Sequence, residues 1–159
     1  MIFVTLGSQK FQFDRLLKKL DELLENGQIT DAVFAQIGYS NYRPQHFEYE
    51  QFLNREEFAH RMQECDIVLT HGGTGAIVSA VKKGKKVIAV ARLSKYGEHV
   101  DDHQIQILRQ FEEMNLILPC YEIEKMGQKL KEVESMKFEQ YQSNTQRIIQ
   151  SIEEFIEEI

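Results

Sequence analysis

The stretch Asp66–Ser79, DIVLTHGGTGAIVS, constrains the fold of this chain more than any other. Ile67-Val68-Leu69-Thr70 is a short apolar run and reads as a buried strand. It passes into His71-Gly72-Gly73-Thr74-Gly75, after which Ala76–Val81 reads as the opening of a helix. Strand, glycine turn and helix in that order leave the free N–H groups of the first helical turn at the strand's carboxyl end. Glycine lets the backbone come close to a ligand, and the helix N-terminus favours an anion there by about 0.3–1 kcal/mol. The same glycines also serve where nothing binds, as a tight turn, and both uses stay open at this point.

Strand and helix signals alternate along the rest of the chain. Strands are expected at Ile2–Leu6, Ala32–Gly38, Phe47–Glu50, Val87–Ala91 and Leu116–Leu118, the last ended by Pro119. Between the first two, Phe13, Leu16, Leu17, Leu20, Leu23 and Leu24 form one helical stripe, closed by Asn26-Gly27. Asn54, with Glu57 three residues on, starts another helix, and the helix after Gly73 ends in Lys82-Lys83-Gly84. Asp101 is expected to cap a helix running to Asn115, and Ile123, Met126, Leu130 and Val133 mark a short amphipathic one. The chain closes on a long apolar stripe, from Tyr141 through Ile148 and Phe155 to Ile159, read as an amphipathic helix over 139–159. This alternation predicts a single α/β domain, Rossmann-like, with a parallel sheet, right-handed crossovers and helices on both faces. Gly7 and Ser8 then sit at the carboxyl end of the first strand, where open parallel sheets bind ligands, or form only a turn.

Bulk properties exclude several classes. The net charge of −6 argues against a nucleic-acid binder, whose phosphate-neutralising patch leaves a domain basic. Cys65 and Cys120 lie far apart with no CxxC, as expected of buried thiols in a reducing cytoplasm. No signal peptide precedes the strand at Ile2, and no apolar run is long enough to span a bilayer. The lysines at 82–86 complement a helix dipole; a contact with anionic lipid is the alternative, disfavoured by the shortness of the cluster. Gly84-Lys85-Lys86 lacks the spacing and hydroxyl of a P-loop, and Gly73-Thr74-Gly75 lacks the third glycine and ribose-binding acid of a dinucleotide site. His99 and His103, four apart with Asp102 between them, could face one metal ion. Yet Asp at a helix start is an ordinary cap, and His-Gln there can read a sugar or a base, so no metal site is assigned.

The glycine loop His71–Gly75, the strand into Arg92, and above all Lys95-Tyr96-Gly97-Glu98-His99-Val100-Asp101-Asp102-His103-Gln104 resemble the carboxy-terminal domain of glycosyltransferase family 28. Phe3–Ser8 and Phe13–Leu17 extend the likeness over nearly the whole chain. Within the family it looks like the small catalytic subunit of two-component bacterial capsule and exopolysaccharide transferases. It is also similar to the soluble subunit of the dolichol-pathway N-acetylglucosaminyltransferase. The resemblance implies the donor-binding half of a GT-B fold and a metal-independent hexosyltransferase without a cofactor. It further implies a UDP-sugar donor, a membrane-anchored acceptor-binding partner subunit, a lipid-linked saccharide acceptor, and recruitment from the cytoplasm to the inner face of the cell membrane.

Carried onto this sequence, the resemblance implies that Gly72, Gly73, Thr74 and Gly75 hold the UDP phosphates. Asp102, His103 and Gln104 would contact the donor sugar, while Arg92 and Tyr96–His99, Glu98 included, would shape its pocket. Gly7 and Ser8 would border the phosphates or the acceptor. His71 and His99 are the candidates in this chain for the general base that an inverting displacement requires. One position departs from the family: Ser79 stands where many relatives have a ribose-holding Glu, so the ribose contact is weak there or lies elsewhere. Two other functions remain in view, a non-catalytic UDP-sugar-binding subunit and a metal-dependent hydrolase using His99, Asp102 and His103.

Overall fold

A computed structural model describes residues 1–7 and 9–141. Six strands, β1 (Ile2–Thr5), β2 (Val33–Gln36), β3 (Glu48–Glu50), β4 (Ile67–His71), β5 (Lys86–Val90) and β6 (Leu118–Pro119), form one sheet. Every pairing is parallel, in the order β3-β2-β1-β4-β5-β6. Five α-helices connect or follow them: α1 (Asp14–Glu25), α2 (Arg55–Glu64), α3 (Thr74–Lys82), α4 (His103–Glu113) and α5 (Met126–Ser135). The Rossmann-like α/β architecture expected from the alternating pattern is the one found.

Strand side chains alternate between two apolar layers, as a sheet covered on both faces requires. Ile2, Val4, Leu69 and Val90 pack with Leu16, Leu17 and Leu20 of α1 and Met126 and Val133 of α5. Phe3, Val68, Val87 and Ala89 face the other way, onto Met62 of α2, Ile77 and Ala80 of α3, and Leu108 and Phe111 of α4. The leucines at 16, 17 and 20 are wholly buried, worth about 1.5–3 kcal/mol each. Crossovers from β1 and β4 lie on opposite faces and lead in opposite directions along the sheet. The gap between the carboxyl ends of these two adjacent strands is therefore the switch point at which such folds open a crevice.

Two sequence expectations are adjusted, and a third lies almost wholly beyond the described residues. The last strand contains Pro119 instead of ending before it; β6 is an edge strand, where a missing N–H breaks no ladder bond, and Cys120 N–H resumes pairing to Ala89 O at 2.8 Å. Helix α4 starts at His103 with Asp102 at the cap position, although Asp101 Oδ1 does accept the His103 N–H at 3.0 Å. Of the helix expected over 139–159, all but 139–141 lie outside the described residues, and those three are not helical.

Candidate functional site

Three segments meet at the carboxyl edge: Leu6-Gly7 and Gln9–Phe13 after β1, Gly72-Gly73 after β4, and Ala91–Asp102 after β5. A buried guanidinium bolts the first to the third. Arg92, 1% exposed, donates to the carbonyls of Leu6, Phe11 (2.9 Å) and Gln12 (3.2 Å), reaching back to the far side of the switch point. Burial pushes its pKa down to about 10, against the pull of Glu98, which leaves it charged at neutral pH. Glu98, itself 0% exposed, takes two 3.0 Å bonds from Arg15 of α1 and one from Leu93 N–H. Gln12 Nε2 caps Tyr96 O at 3.0 Å, and the rings of Phe11 and His99 stack at 5.3 Å. The Arg15–Glu98 ion pair and the carbonyls that Arg92 engages fix these loop positions, although Arg92 Nε, also buried, has no partner among the described residues.

The glycine loop divides its amides. Gly72 N–H donates to Gln104 Oε1 (3.1 Å) and Gly73 N–H to His71 Nδ1 (3.1 Å), so both are turned inward. A Cβ at Gly72 would stand 2.8 Å from that of Gln104, and one at Gly73 would stand 2.2 Å from His71 Cε1. These two positions are glycine because nothing larger fits. Gly75 differs: it is exposed, with no atom within 4 Å of a Cβ. The first-turn N–H groups of Thr74, Gly75 and Ala76 have no acceptor among the described residues, and they point outward from α3 at the switch point. Ala76 is a position the sequence reading missed; its place as third residue of the helix was the available signal.

His71 is 7% exposed and neutral. Burial, then the charges of Arg92 and His99, push its pKa down to about 3. Nδ1 accepts from Gly73, so the proton sits on Nε2, which lies beside Gly7, a residue at φ 75° whose Cβ would stand 2.8 Å away. A group that accepts a proton only near pH 3 makes a poor general base. His99 is the better placed of the two candidates, with its side chain 18% exposed and Nδ1 3.3 Å from Asp101 Oδ1. His103 Nδ1 lies 3.6 Å from the other oxygen of the same carboxylate.

Asp102 faces elsewhere. Its Oδ1 accepts from Ser94 N–H (2.8 Å) and Ser94 Oγ (3.1 Å), bonds that hold its carboxyl below the usual range. His99, Asp102 and His103 therefore do not converge, and among the described residues no cluster of three His, Cys, Asp or Glu is arranged to hold a metal ion. Tyr96 is exposed, and the Arg15 guanidinium lies 4.6 Å from its ring centroid. Ser79 sits half-buried one turn along α3 from Gly75, and Ser8 lies outside the described residues. A separate groove of 710 Å³, lined by Glu48, Glu50, Glu56 and Glu57, opens beside β3 and shares none of these groups.

A doubly wound parallel sheet with a glycine turn opening a helix at its switch point defines a Rossmann-like α/β domain built to receive a ligand at one edge. All of residues 1–159 match the model of the glycosyltransferase family 28 C-terminal domain, and the chain belongs to that family. It is similar to the UDP-N-acetylglucosamine transferase subunit ALG13 of Homo sapiens, 24% identical over 132 residues that cover 75% of this chain. The protein of that name from Mus musculus is 23% identical over 134 residues covering 74% of it. The match takes in 11% and 10% of those two proteins, so the chain spans about a tenth of the length of the curated relatives it matches.

Proposed function

We propose that this chain is the donor-binding subunit of a glycosyltransferase. It takes a UDP-hexose and, with a membrane-anchored acceptor-binding partner, transfers the sugar with inversion to a polyprenyl-diphosphate-linked saccharide in capsule or exopolysaccharide synthesis. The observation that carries this reading is the trio of amides at Thr74, Gly75 and Ala76, without an acceptor among the described residues, set at the switch point opposite the loop Ser94–Asp102. Family membership supports the class of reaction. Relatives named as transferase subunits for UDP-N-acetylglucosamine support the class of donor and the presence of a partner.

In this reading an acceptor hydroxyl attacks C1 of the sugar and the bond from C1 to the diphosphate breaks, releasing UDP. The charge that develops on the diphosphate is met by the three amides and the helix N-terminus, preorganised donors aimed where charge grows. The acceptor's proton passes to His99, oriented by Asp101, or to a group of the partner; His71 keeps Gly73 in place. Ser79, one turn below Gly75, offers its hydroxyl towards the ribose. Partner docking falls on the same edge. The large apolar side chains left exposed, Tyr39, Phe52, Tyr96, Val100 and Tyr121, all follow the carboxyl ends of strands. No helix among the described residues is long and apolar enough to cross a membrane, which fits an anchor supplied by the partner.

Titration calorimetry with UDP tests the binding half, and turnover of a panel of UDP-sugars with partner-containing membranes tests the rest. Gly73→Asp places a carboxylate against both His71 and the diphosphate and is expected to abolish both signals; unchanged turnover in Gly73→Asp and His103→Ala would sink the reading. Binding of UDP by the chain, with turnover indifferent to these changes, would select the non-catalytic alternative.

A further inference from the structure

We propose that Gln104 is a positioning residue that holds the glycine loop in its anion-binding shape. This rests on the reading that the loop receives a diphosphate. The β4–β5 ladder ends at the pair His71–Val90. Just beyond it, the amides of Gly72 and Arg92 have no strand partner left. Gln104 Oε1 accepts both, at 3.1 and 2.9 Å, and so closes the open end of the ladder with a side chain. An amide oxygen has two lone pairs, so its capacity is filled. Nε2 lies 3.4 Å from His71 Nδ1, the atom that holds Gly73 N–H. The residue is 5% exposed and its Cβ occupies the space a side chain at Gly72 would need.

One buried side chain thus controls the amides of Gly72 and Arg92 and touches the ring that controls Gly73. It is also the second residue of α4, so it ties the start of that helix, and the loop Ser94–Asp102 before it, to the start of α3. Removing Oε1 strands two buried N–H groups, and the peptides around Gly72 are then free to rotate towards other acceptors. Rotation there re-aims the outward amides of Thr74–Ala76. The defect falls on the phosphate site, whichever sugar is attached.

Gln104→Met keeps the length and removes the acceptor; Gln104→Glu keeps an acceptor oxygen. In the full chain without ligand, hydrogen exchange read by NMR is expected to speed at least tenfold for Gly72 and Arg92 together in Gln104→Met. The amides of β1 should stay unchanged, and Gln104→Glu should retain protection at both sites. Calorimetry with UDP and with UDP-N-acetylglucosamine is expected to show affinity loss by the same factor, about tenfold, for the two ligands in Gln104→Met. Two results overturn the proposal: exchange at either amide left as in the parent, or selective loss of the UDP-sugar with UDP affinity intact, the mark of a direct sugar ligand. If the parent chain binds neither nucleotide, the donor-binding reading fails, while the exchange comparison still decides the role of Gln104. Should Gln104→Met not fold, Gln104→Asn, which withdraws the oxygen by one methylene, reads the same two quantities.

Discussion

At the scale of single residues, His71 is the most consequential side chain on the carboxyl edge. It fills the space between Gly7 and Gly73, and its neutral ring supplies the acceptor for Gly73 N–H. Folding lowers its pKa from 6.5 to about 3, so between those values the unfolded chain binds the extra proton. Stability from this residue is complete above pH 6.5 and declines as pH falls towards 3, at about 1.4 kcal/mol per unit, or about 2 kcal/mol by pH 5. Urea unfolding at pH 7 and pH 5 measures it: the parent chain is expected to lose more on acidification than His71→Asn, whose amide oxygen can take the place of Nδ1 but does not titrate. The glycines make a paired prediction. Gly73→Ala drives a methyl group into the His71 ring and should cost about 2–3 kcal/mol by the same unfolding measurement, in the range for overpacking. Gly75→Ala meets no protein atom and should leave the fold within about 0.5 kcal/mol of the parent, so any loss of UDP binding there belongs to the ligand.

Between elements, the bond that matters most joins α1 to the loop after β5. Arg15→Ala leaves the buried Glu98 carboxylate without its direct ion-pair partner and should cost about 3 kcal/mol in thermal or chemical unfolding. Arg15→Lys keeps a charge beside Glu98 but not the two-bond fork and should recover part of that loss; a Lys variant as unstable as Arg15→Ala would refute the assignment. This clamp also marks where reading the sequence stops. Local features were visible in it: Asn54 accepts from Glu57 N–H at 2.8 Å, three residues away, and the α1 leucines follow one helical stripe. The inward turn of Arg92, Glu98 and Gln104 was not. In sequence they belong to one polar stretch, and polar residues in a loop read as solvent- or ligand-facing. Their partners lie far off: Arg92 is 80 and 81 positions from the carbonyls of Gln12 and Phe11, and Glu98 is 83 from Arg15. Nothing in a local pattern says which polar side chain closes a ladder end and which faces the crevice. His71 was hidden for the same reason, since its burial depends on Gly7 from another strand.

At the scale of the whole fold, the large apolar side chains left exposed among the described residues are not spread evenly but follow the carboxyl ends of strands, on the edge that holds the crevice. Tyr39 and Phe52 stand half in water, their rings packed edge to face at 5.3 Å, and fit the apolar contact that the proposed partner would make. They follow β2 and β3, on the side of β1 away from the glycine loop. Gly38, just before Tyr39, approaches so closely that a Cβ there would meet Gly7 O at 2.9 Å. Contact with a second polypeptide at this pair would lie on the β1 side of the crevice. Tyr39→Glu combined with Phe52→Glu puts two charges where an apolar contact is expected, while touching none of the amides proposed to receive the nucleotide. Affinity for UDP by calorimetry should stay within about twofold of the parent, because two exposed changes alter stability by less than about 1 kcal/mol. Co-sedimentation with partner-containing membranes should fall at least tenfold, and turnover with it, since an interface loses most of its energy with its central aromatic anchors. Retained co-sedimentation with retained turnover would place the partner on another face and leave the aromatic pair without a role in assembly.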